Sequence, residues 1–122
     1  MALTLTTVTG NLQMVAGASL PVDSSVLFHP TQALTDITDK IYYLGTPVEA
    51  SLTPQGTFGV QLFNTDNVNI APPPGGWSWI CWIRVGNMWN SFSFKLPASV
   101  YNAAPYNGTV DITTLMPSGW QI

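Results

Sequence analysis

The residue pattern predicts an all-β protein: a single small antiparallel β-sandwich, immunoglobulin-like or transthyretin-like, of about six to eight strands. Three observations carry that expectation. Apolar residues recur with a period of two and almost nowhere with the 3.6 of an amphipathic helix. Ten glycines and ten prolines cut the chain into short segments bounded by turn chemistry. A length of 122 residues suits one hydrophobic core, so residues 1–122 are expected to form one domain.

Leu3 and Leu5 alternate with Thr4 and Thr6 in a first strand that Gly10 is expected to interrupt, and Leu3 to Thr7 should pair. Val26 and Phe28 alternate until Pro30, which cannot donate to a ladder. Residues 31–40 read as a long loop before strand-like Ile41 to Leu44. Val48 to Leu62 reads as a hairpin turning at Thr53-Pro54-Gln55-Gly56. A second hairpin runs from Trp77 to Val85, turns at Gly86-Asn87 and returns through Phe92, Phe94 and Leu96 to Pro97. Asn107-Gly108 marks a last tight turn, after which Val110 and Ile112 alternate with Asp111.

Composition excludes several function classes. Charged residues make up 7% of the chain, against about 25% in an ordinary soluble domain. Lys40, Arg84 and Lys95 are its only lysines and arginines, which leaves no basic stripe for nucleic acid. Cys81 has no partner for a disulfide or a paired-thiolate zinc site, and its apolar surroundings make it a buried small hydrophobe. No stretch reads as a membrane span, and the first ten residues lack the basic start of a signal peptide.

Candidate chemistry is sparse. The one histidine, His29, ends an apolar strand without a nucleophile elbow in the sequence, and Asp36 and Asp39 suit a turn better than a calcium loop. Asn107-Gly108-Thr109 fits a glycosylation sequon but serves as a turn. No catalytic residue, metal site or cofactor is expected. The aromatic residues carry more information. On the strand from Trp77, alternation puts Trp77, Trp79, Cys81, Ile83 and Val85 on one face and Ser78, Ile80, Trp82 and Arg84 on the other, so both faces should be buried. A covering loop, a protein partner or a sugar-stacking platform would each account for the second face. Trp82, Trp89, Asn87 and Asn90, grouped around Gly86, are the candidate contact residues, with Trp120 and Ile122 as a docking segment at the C-terminal end.

The order of these motifs resembles small β-sandwich modules in minor tail proteins of actinobacterial tailed phages. The similarity runs from about Thr9 to Pro117. Its pieces are Thr9-Gly10, Leu20-Pro21-Val22, Val26 to Pro30, Leu52 to Leu62, Asn64-Thr65-Asp66-Asn67, Gly76-Trp77-Ser78-Trp79, Phe94-Lys95-Leu96-Pro97 and Val110 to Pro117. In the family the module is commonly one domain of a longer polypeptide, so this chain would act through its own surface. The resemblance implies a non-enzymatic virion protein: a minor tail, capsid decoration or fibre subunit on the particle surface, made in the host cytoplasm. Its partners would be other virion proteins and further copies of itself, a trimer by analogy with phage fibres, which the low charge also favours. The alternative is a carbohydrate-binding module that recognises host envelope glycans through exposed rings.

Overall fold

The computed structural model describes residues 4–12, 24–43, 47–71 and 76–120. The fold is all-β and sandwich-like, as expected. The first sheet has the order β10-β1-β6, formed by β1 (Leu5–Asn11), β6 (Thr57–Phe63) and β10 (Thr109–Asp111). The second has the order β5-β2-β8-β9, from β2 (Ser25–Pro30), β5 (Val48–Ala50), β8 (Trp79–Val85) and β9 (Met88–Phe94). A third small sheet joins β3 (Leu34–Asp36), β4 (Ile41–Tyr43) and β7 (Ile70–Ala71). Two short helices, α1 (Ala98–Tyr101) and α2 (Ile112–Leu115), flank β10 in sequence.

Alternation fixes the core. Val8 and Leu62 from the first sheet are buried, as are Val26, Phe28, Cys81, Ile83, Phe92 and Phe94 from the second. The Phe28 and Phe58 rings link the sheets at 6.2 Å between centroids, and Phe94 meets Phe28 edge-on at the same distance. Trp79 adds a polar tie, its Nε1 donating to the Phe63 carbonyl at 2.8 Å. A buried Asn64 joins the first sheet to the segment after β9. Its Nδ2 donates to Thr6 Oγ1 (2.6 Å) and to the Leu96 carbonyl (2.9 Å), and its Oδ1 accepts from Asn102 Nδ2 (3.3 Å). Thr6 Oγ1 in turn donates to Asn102 Oδ1 at 2.7 Å, which closes the network.

Several local expectations are corrected. Gly10 does not interrupt β1; the strand continues to Asn11, and a Cβ on Gly10 would overlap the Phe58 ring. Residues 31–40 are not all loop, because β3 pairs with β4 and β7. The Asp36 carboxylate accepts from the Thr38 and Asp39 amides at 3.0 and 3.1 Å and shapes the turn between β3 and β4. The turn at Thr53 to Gly56 is present, but its arms do not form a hairpin. Strand β5 pairs with β2 and β6 with β1, so the turn carries the chain from one sheet to the other. Ile112 lies in α2 instead of extending β10, since Asp111 Oδ1 accepts from the Thr113 amide at 2.9 Å and caps the helix. The described residues hold ten strands where about eight at most were expected, and β1 pairs with β10 in parallel. Strands of two or three residues are too short to show alternation. The parallel pair joins opposite ends of the chain and needs no turn. Leu3, Leu44 and Leu20-Pro21-Val22 lie outside the described residues.

Cys81 is fully buried, and desolvation pushes its thiol up to about 12 from 9.0. The folded state therefore keeps this proton after the unfolded chain has lost it, and stability contributed by the buried thiol falls as pH rises from about 9 to about 12. Denaturant midpoints across that interval should decline less steeply in Cys81→Ala than in the parent chain, and thiol reagents at pH 8 should leave Cys81 untouched until the protein unfolds.

Candidate functional site: an aromatic face on the second sheet

The hairpin β8–β9 builds the site. Val85 pairs with Met88 across the two-residue turn Gly86-Asn87, with Gly86 at φ +61°, the backbone that a primed hairpin turn requires of its first residue. Strand β2 pairs on the other side of β8, so three strands place their outward side chains in rows. Ser25, Arg84 and Trp89 form one row; Leu27, Trp82 and Ser91 the next; His29, Ile80 and Ser93 the third.

Aromatic rings run diagonally across these rows. Trp82 and Trp89 lie 5.0 Å apart with planes tilted by 37°, and His29 lies 6.4 Å from Trp82, tilted by 34°. Trp89 is 61% exposed. A groove of about 530 Å³ opens beside the tryptophans, lined by Ser25, Leu27, Trp82, Arg84, Asn87 and Trp89. Arg84 is the only charged lining residue among the described ones, and its Nε donates to the Gly86 carbonyl at 2.8 Å, which tethers the guanidinium to the turn. Neither the Asn87 amide nor the Ser25 hydroxyl makes a side-chain hydrogen bond among the described residues. The outward face of the first sheet differs in chemistry. Thr7, Thr9, Thr57, Gln61 and Thr109 dominate it, with Leu5 and Phe63 at one end.

The expectation that both faces of β8 are buried is half right. Trp79, Cys81, Ile83 and Val85 point into the core, whereas Ile80 and Trp82 are half-buried and Arg84 is exposed. Of the candidate contact residues, Trp82, Trp89 and Asn87 come together on the groove. Asn90 does not join them: it pairs with inward-facing Ile83, so pleating turns it to the opposite face from Trp89, and its Oδ1 accepts from the Ser91 amide at 2.8 Å. Ser25, Leu27, His29 and Arg84 carry no local sequence signal that marks them as neighbours of these rings. The alternation of β2 is visible in the sequence, but its pairing with β8 is a long-range choice that no local signal announces.

Trp120 docks on its own domain. Its ring meets Phe92 edge-on at 4.9 Å, and its Nε1 donates to the Ser91 carbonyl at 2.9 Å. With Asn90 on the Ser91 amide, both main-chain polar groups of Ser91 on the end strand β9 are occupied, which blunts an edge otherwise open to pairing. Trp120→Ala should lower unfolding stability by about 2 kcal/mol and increase concentration-dependent association, read by denaturation and light scattering. Ile122 lies outside the described residues.

Comparison with protein families, curated proteins and solved structures finds no match to this chain.

Proposed function

We propose that the chain is a non-enzymatic virion protein of a tailed phage, a minor tail, capsid decoration or fibre subunit, which forms a homo-oligomer and meets other surfaces through its outer β2–β8–β9 face. The observation that carries this reading is the contrast between the two sheet surfaces. One is rich in threonine, with a hollow of about 140 Å³ at its Leu5–Phe63 end, while the other presents adjoining tryptophan rings and a groove of about 530 Å³. An exposed aromatic patch on a chain this poor in charge favours contact with another surface over free solution. The motif order from Thr9 to Pro117 supports the phage assignment. A non-catalytic role fits the placement of three residues of reactive type: Cys81 is buried with its thiol pushed up, Asp36 is engaged in a turn, and His29 lies beside an indole ring.

A second reading, attachment to host envelope glycans, is favoured by Trp89, which is exposed on the rim of the groove. The virion assignment is tested on purified particles of the phage that encodes the chain. Peptides of the protein should be present and gold-labelled antibody should bind the particle exterior. A chain found in infected cells but absent from purified particles would overturn it.

A further inference from the structure

Resting on the glycan-attachment reading, we infer that the groove between Trp89 and Arg84 is a binding site for an acidic pyranose, a sugar ring carrying a carboxylate or a phosphate. A pyranose is amphipathic in a particular way: one ring face presents C–H bonds, while hydroxyl groups project from the rim. The C–H face suits the electron-rich face of an indole, and the hydroxyls need donors and acceptors around it. Trp89 supplies an exposed indole held against Trp82 at 5.0 Å, so the platform is ordered before a ligand arrives.

The rim has the matching chemistry. The Asn87 amide offers both donor and acceptor and the Ser25 hydroxyl offers either, and neither is committed to a side-chain hydrogen bond among the described residues. A groove of about 530 Å³ is within the range of about 300 to 1,000 Å³ typical of small-molecule sites.

Charge selects within the class. Among the described residues, Arg84 is the only charged one lining the groove. Its Nε is held by the Gly86 carbonyl, leaving its terminal nitrogens to engage an oxyanion in the fork geometry that guanidinium makes with carboxylate and phosphate. Among the described residues the acid on this face, Glu49, is carried by the end strand β5 opposite Leu27 and is not part of the groove lining.

Titration of the intact protein with methyl glucuronide, glucose 6-phosphate and methyl glucoside, followed through the indole N–H resonances of the tryptophans, tests the site. The three probes share a ring and differ in the acidic group. At least one acidic sugar should shift the Trp89 resonance saturably and bind about tenfold more tightly than methyl glucoside; which of the two does so distinguishes a carboxylate ligand from a phosphate ligand. Trp89→Ala should abolish binding, and because Trp89 is 61% exposed its removal should leave the fold intact, as the unchanged core resonances would show. Arg84→Gln should bring the acidic sugar down to the level of methyl glucoside. Equal binding of all three probes, no saturable shift with any of them, or parent-like binding by Trp89→Ala would overturn the inference. Trp89 resonances that respond to protein concentration but to no sugar would also overturn it, assigning the face to a second copy of the chain. That result would leave the virion reading standing, just as absence from particles would leave a measured sugar affinity standing.

Discussion

Replacing Phe28 with alanine is expected to cost about 4 kcal/mol, the upper part of the range for removing a buried aromatic ring. Phe28 is fully buried and touches Phe58 from the first sheet and Phe94 from its own, so its ring is shared by both halves of the sandwich. The loss comes from area returned to water and from a void between layers that neighbouring strands, paired along their lengths, are poorly placed to close. Domains of this size are stable by about 5–15 kcal/mol, so urea unfolding should show a midpoint moved far toward zero with the slope of the transition kept. A Phe28→Leu variant, which keeps much of the volume, should lose about half as much.

Asn64→Ala should be the next most damaging change, at about 3 kcal/mol. The lost side chain bonds Thr6 in β1 and Leu96 and Asn102 on either side of α1, so it ties two remote stretches of chain together. Alanine removes those bonds from a buried network; Thr6 keeps its bond to Asn102 and the Leu96 carbonyl keeps the Thr65 amide at 3.1 Å, but each loses one buried bond, which is costlier than losing a solvated one. A thermal midpoint lower by on the order of 10 °C would agree with this account. Asn64→Asp should be at least as damaging, because a carboxylate cannot donate to Thr6 or Leu96.

The sequence made the fold class legible, and with it the hairpin around Gly86, because seven-residue strands such as β8 display their alternation and a two-residue turn leaves one register. It did not reveal which sheet each arm of the Thr53 to Gly56 turn enters, since turn chemistry reports a reversal of the chain and nothing about pairing. The role of Asn64 was hidden for a related reason: an asparagine between a strand and Thr65-Asp66 looks like an ordinary turn residue, and its partners are remote in sequence. The candidate site was half legible. Trp82, Trp89 and Asn87 could be grouped by closeness along the chain. The same criterion wrongly admitted Asn90, which pleating excludes, and omitted Leu27 and Ser25, which only the β2–β8 register brings alongside.

If the outer β2–β8–β9 face is the working surface, radical footprinting of Trp89 will register its occupation. In the isolated chain Trp89, at 61% exposure, should oxidise readily, while Trp77, at 2%, should be inert. On phage particles attached to host envelope, Trp89 should become protected while Leu5, at the end of the first sheet's outer face, keeps its reactivity. Undiminished oxidation of Trp89 in the attached particle, with protection transferred to the first sheet, would contradict that role for the β2–β8–β9 face.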